Sequence, residues 1–144
     1  GTFEDSKEEY PLYKGALHFS QDDTHEDGRL LADEIAELDL KADIATISAC
    51  YSASGNIAYL HEGLIGTSRV FLAAGVSTVA ASLWQVPDTK QTVEMMKEFY
   101  RHVTGKEEPR CSRAKAHQIA VRHVIETNRE NPQQWGAFFL TGLG

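Results

Sequence analysis

What this 144-residue chain lacks narrows its class before any motif is considered. It has only two cysteines, Cys50 and Cys111, in unrelated contexts. That excludes a disulfide framework and makes a reducing, cytoplasmic setting the default. No apolar run approaches the ~18 residues of a membrane-spanning helix. The N-terminus, "GTFEDSKEEY", is polar and acidic and has none of the marks of a signal peptide. No basic cluster offsets the net charge of −7, so a nucleic-acid surface is not expected. Internal repeats, low-complexity blocks and linkers are absent, as are metal-ligand spacings and a Gly-rich phosphate loop followed by Lys. No cofactor is called for.

What is present is an ordinary globular balance, with 42% hydrophobic and 24% charged residues, enough to bury one core. One domain over residues 1–144 is expected. "GALHFS" reads as a short strand, placed at an edge, and Asp27-Gly28 as a turn. "RLLADEIAELDL" reads as a short helix with Asp33 and Glu34 in its first turn and Leu31, Ile35 and Leu38 on one face. "ADIATISA" is a near-continuous β-branched run, the pattern of a central parallel strand buried on both faces. A helix stopping at Gly75 follows, then a second buried strand in "VSTVAASLW". Val93, Met96, Phe99, Tyr100 and Val103 form the stripe of an amphipathic helix ending at Gly105. Ser112 is placed to cap another helix, with Ala116, Ala120 and Val124 aligned, and "WGAFFLTG" closes the chain as a strand.

Strands alternating with helices specify an α/β layered fold with a largely parallel sheet, whose ligands gather at the carboxyl ends of the strands. Cys50 lies at one such end and Trp84 to Asp88 follow the next. Cys50 is either a small buried hydrophobe or a nucleophile whose backbone N–H is free to hold an oxyanion. A nucleophilic thiol needs a base, usually His. Of His18, His25, His61, His102, His117 and His123, spacing nominates none.

The segments "DGRLLADEIAELDLKADIATISACYSASG", "HEGLIGTSRVFLAAGVSTVAASLWQVPD", "MMKEFYRHV" and "WGAFFLTG" closely resemble, in order, the CHAT family of caspase-like cysteine proteases, relatives of separase often found beside tetratricopeptide repeats. The resemblance covers nearly the whole chain. It implies a caspase-like three-layer αβα sandwich with a mostly parallel central sheet. It implies cysteine endopeptidase activity on a protein or peptide substrate, with no nucleic acid, membrane or cofactor involved. The nucleophile would be Cys50 of Ser48-Ala49-Cys50. The family's T-H-G motif is incomplete: Gly1 falls on its glycine, so the chain is expected to be cut just after the catalytic His. That His would come from an upstream segment or from a repeat domain that also regulates the site. The backbone N–H of Gly1 would join that of Cys50 in holding the oxyanion. The S-L-W-x-V-x-D segment makes Ser82, Trp84 and Asp88 the substrate-binding residues, although Asp88 is equally placed to cap the next helix. Two positions depart from the family pattern, His61 for the first Gly of G-E-G and Tyr51 for a common Glu. The alternative is a catalytically inactive CHAT-like interaction module. By association, the resemblance points to bacterial defence.

Overall fold

The computed structural model describes residues 3–4, 16–19, 28–48, 66–84, 86–105, 111–127 and 129–144. Among these residues two three-stranded sheets are formed. The first is antiparallel: β1 (Phe3–Glu4), β2 (Ala16–His18) and β3 (Arg29–Leu31), in that order. β2 is therefore central in this sheet, not at its edge. The second contains β4 (Ala45–Ile47), β5 (Thr78–Ser82) and β6 (Phe138–Gly142). The helices are α1 (Ala32–Glu37), α2 (66–73), α3 (Lys90–Val103), α4 (Arg113–Thr127) and the single turn α5 (Pro132–Trp135).

The second sheet is mixed, which corrects the expectation of a mostly parallel one. β4 and β5 run parallel, with Ala45 opposite Val79 and Ile47 opposite Ala81. β6 runs antiparallel to β5, with Ser82 opposite Phe138 and Thr78 opposite Gly142. The reason lies in the connection. α3 and α4 have 14 and 15 residues, so one helix carries the chain down the sheet and the next carries it back up. The chain returns to the edge it left, and β6 must descend. A single crossover helix would have given a parallel strand.

Alternation along the strands sends side chains to two helical layers. Ile47, Val79, Ala81 and Phe139 meet Phe71, Leu72 and Leu40, and a neighbouring cluster joins Ile35 of α1 to Val70 and Ala74. Phe138 and Leu140 face the opposite way, onto Met95 and Phe99 of α3 and Ala116, Ala120 and Val124 of α4. All five residues of β5 are buried. β4 is not buried on both faces: Thr46 is exposed, with its hydroxyl against that of Tyr100, because β4 lies at the end of this three-strand order.

Local chemistry explains the boundaries. The Arg29–Leu31 segment, expected as helix, is a strand because it pairs with β2, and α1 starts only at Ala32. The Glu34 carboxylate accepts from the Leu31 N–H at 2.7 Å, which satisfies one of the free donors at the helix start. Of the expected apolar face, Ile35 is buried while Leu38 is 42% exposed. α2 ends in a Schellman motif, with Val76 N–H donating to Phe71 O and Gly75 N–H to Leu72 O, both at 3.1 Å. Gly75 adopts φ +106° there. In α3 the core takes Met95 and Phe99, whereas Val93 of the expected stripe is 43% exposed. Lys115 N–H donates to Ser112 Oγ at 3.3 Å, the capping role expected of Ser112 at α4. No described helix is long and apolar enough to cross a membrane.

Candidate functional site

The parallel pairing of β4 with β5 sets where the two informative segments leave the sheet. Ile47 and Ala81 are register partners, so Ser48 after β4 and Leu83 after β5 leave the sheet at the same carboxyl edge. Cys50 and Gly1, like His25, His61 and Tyr51, lie outside the described residues. Ser82, Trp84 and Asp88 lie within them.

Ser82 ends β5, is 4% exposed, and has a buried Oγ with no hydrogen-bond partner among the described residues. Strand alternation places it on the α3/α4 side, opposite Phe138. Trp84 is 39% exposed but tethered: its Nε1–H donates to the Gln133 carbonyl of α5 at 3.1 Å. Leu83 N–H donates to Ala137 O at 2.7 Å, which extends the β5–β6 pairing into the start of this loop. Val86 packs against the α3/α4 core. Pro87 O accepts from Thr89 N–H at 2.9 Å and from Thr92 Oγ1 at 2.9 Å. The described residues of the segment are thus held at both ends, at Leu83 and Trp84 and at Val86 and Pro87.

Asp88 does not cap α3. The N-cap is Thr89, whose side chain accepts from Thr92 N–H at 3.4 Å. Thr89 stands one position nearer the helix, and its own extended backbone supplies the cap geometry. Asp88 is exposed, with no hydrogen bond or ion pair among the described residues, so its carboxylate is available at this edge.

His18 is in β2, and His123 is exposed on α4. His102 Nε2 pairs with Glu98 Oε1 at 3.1 Å within α3. His117 of α4 stands edge-on to Phe99 at 6.3 Å, with its Nε2 buried and unpartnered. Burial lowers its pKa below the ordinary value, and a hydrogen bond to the Phe138 backbone partly offsets this. The unfolded chain therefore binds more protons than the folded one below about pH 6.5. The stability contributed by neutral His117 is fully present above that value and falls as pH drops toward the depressed folded pKa. Melting temperature measured from pH 7 to pH 5 should decline less for His117→Gln than for wild type. Parallel curves would show that His117 does not titrate in this window.

Cys111 is a free, half-buried thiol in a cleft of about 540 Å³ with Asp43, Tyr100 and Arg113, where Arg113 pairs with Asp43 at 3.2 Å. This cleft adjoins the start of β4 and of α4, the opposite end of the sheet from Trp84. Among the described residues no group of His, Cys, Asp and Glu is placed to hold a metal ion. The contributions of Gln133 and Gly136 to the edge were not read from the sequence. The only local signal is the Pro-x-x-Trp-Gly run, with Pro132 opening a helix and Gly136 closing it.

A family model described as the CHAT domain matches residues 1–143. The chain belongs to the CHAT domain family. The match spans every described element, from β1 to β6, and CHAT domains form a caspase-like protease family. The chain is also similar to Tetratricopeptide repeat protein 28 of Mus musculus, 26% identical over 115 residues. That stretch is 78% of this CHAT chain and 4% of the mouse protein, so the chain spans only a small part of that relative. No solved structure matches the chain.

Proposed function

We propose that this CHAT domain, residues 1–144, is the Cys-bearing portion of a caspase-like cysteine endopeptidase, with Cys50 as nucleophile. The observation that carries the reading is the shared carboxyl edge. The Ser48-Ala49-Cys50 segment leaves β4 where the Ser82-to-Asp88 segment leaves its parallel partner β5, in a chain that matches the CHAT family almost end to end. On this reading the Cys50 thiol works against the Trp84-to-Asp88 segment, whose Asp88 carboxylate is exposed.

The base is a His supplied upstream of Gly1 or by another chain. It takes the proton of the Cys50 thiol, and the thiolate attacks the scissile carbonyl carbon. The backbone N–H groups of Cys50 and Gly1 hold the resulting oxyanion. Collapse expels the amine, which takes its proton from the imidazolium and leaves an acyl thioester. Water then hydrolyses the thioester and regenerates the thiol. Without that base the thiol has no partner to take its proton and is a weak nucleophile. Trp84 and Asp88 form the substrate-binding side with exposed side chains, and Ser82, whose side chain is buried, joins it through its backbone at the end of β5. Partners are a protein or peptide substrate and a neighbouring His-bearing or repeat segment that regulates the site, in the cytoplasm.

The test uses the full-length protein, wild type and Cys50→Ala, with a peptide panel varied before the cut. Cleavage is expected in wild type and is expected to fall by at least about 10³-fold in Cys50→Ala. If wild type cleaves nothing and Cys50 labels no faster than a free cysteine, the domain is a CHAT-like interaction module and the mechanism is wrong.

A further inference from the structure

We propose that Gly136, together with the Gln133 carbonyl, is a positioning device that holds Trp84 as a fixed wall of the substrate edge and so sets which peptides the site prefers. This rests on the reading of that edge as the peptide-binding one.

A solvent-facing indole at the end of a strand ordinarily samples several rotamers, and fixing it costs side-chain entropy. Here the cost is met within the fold. α5 is one turn long, so most of its carbonyls have no taker inside the helix. Gly136 N–H takes Pro132 O at 2.8 Å, and Gln133 O is taken by the Trp84 Nε1–H. Trp84 is 49 residues away in sequence, and only the β5–β6 pairing brings it there.

Gly136 makes the fit possible. A Cβ at this position would lie 3.0 Å from Pro132 O and 3.8 and 3.9 Å from the Trp84 ring atoms Cη2 and Cζ2. The backbone at Gly136, φ −92° and ψ 0°, is open to any residue, so the demand for glycine here comes from space and not from conformation. A Cβ would push Pro132 O by a few tenths of an ångström and strain the α5 turn that carries the Gln133 carbonyl. The branches of a Val would add to the contact that its Cβ makes with the indole. With one edge of the ring over Gly136 and its N–H tethered, Trp84 still exposes 39% of its surface. That remaining surface is a rigid apolar wall beside Ser82, suited to a bulky apolar side chain of a bound peptide.

The test compares wild type, Gly136→Val and Trp84→Phe in the full-length protein carrying 5-fluorotryptophan. The Trp84 ¹⁹F resonance is assigned by its loss in Trp84→Phe. Peptides differing in one apolar residue before the cut are compared by kcat and KM. In Gly136→Val the Trp84 resonance is expected to shift and broaden. The preference of wild type for its best peptide is expected to fall by about tenfold, through KM and with kcat little changed. If Gly136→Val does not fold, Trp84→Phe decides, because it keeps a ring but loses the tether and should lose part of the same preference. A moved resonance with an unchanged preference overturns the proposal, as does an unmoved resonance. Failure of the underlying reading looks different: unmutated protein would then show no cleavage or no peptide preference, and both claims would go together.

Discussion

Gly75→Ala is expected to lower the melting temperature by about 10 °C, a large effect for the addition of one methyl group. Two costs combine. Gly75 sits at φ +106°, where an L side chain is strained by about 1–3 kcal/mol. A Cβ would also stand 2.3 Å from the Leu40 carbonyl oxygen. That carbonyl has little room to retreat. Leu40 N–H donates to Ala74 O at 2.7 Å, and the Leu40 side chain packs in both clusters on the α1/α2 side of the sheet. Relieving the overlap means shifting the connection between α1 and β4, an overpacking cost of about 1–3 kcal/mol more. Against a total stability of about 5–15 kcal/mol this is a substantial fraction. At about 2–4 °C per kcal/mol for a domain near this size, the shift is readily measured. Gly144→Ala is the control, since its Cβ would meet only the Ala114 methyl at 3.8 Å. A Gly75→Ala melting temperature within about 2 °C of wild type would refute the Schellman turn as the lock between α2 and the Leu40 strand entry.

Phe99→Ala is expected to cost about 3–5 kcal/mol in urea unfolding. Phe99 is 2% exposed and belongs to the core between α3, α4 and β6. Its ring meets Tyr100 at 5.3 Å and 65°, and His117 at 6.3 Å and 85°. These edge contacts add about 0.5–1.5 kcal/mol to the burial of the ring itself. Its neighbours Ala116 and Ala120 are too small to fill the void, so the cavity term is expected in full. Val93→Ala, on the same helix but 43% exposed, should change stability by no more than about 0.5 kcal/mol. Comparable losses for the two variants would mean that α3 is rotated from the orientation described. Phe99→Ala should also move the His117 titration back toward its ordinary range, because water reaches the imidazole through the cavity. Its NMR titration measures this independently of stability.

Much of the layer structure was legible because it depends on local pattern. Ala116, Ala120 and Val124 recur every four residues, and all three are fully buried. The apolar run before Ser82 is a strand buried throughout. Gly75 ends a helix where a glycine after an apolar stripe should end one. Cys50 and the Ser82-to-Asp88 segment could be put forward as candidates because the S-A-C and S-L-W-x-V-x-D runs are contiguous in sequence.

Other features depend on what a residue meets across the fold, and no local pattern holds that information. Arg29–Leu31 has the composition of a helix start, yet pairing with β2 makes it a strand. Met95 and Val93 are both apolar residues on α3, and only the position of α4 decides which of them is buried. Thr89 and Asp88 are both competent N-caps, and the first turn of α3 selects Thr89, leaving the Asp88 carboxylate available. The direction of β6 follows from two helices of nearly equal length cancelling each other's displacement. The tether on Trp84 is a backbone carbonyl 49 residues away, on a turn too short to use that carbonyl itself. The sequence by itself therefore determined the family and most of the elements, and named the candidate site residues, because these are written in contiguous patterns. The tertiary structure decided strand direction, the choice between equivalent neighbours and the tether on Trp84, because each depends on contacts between segments far apart in the chain.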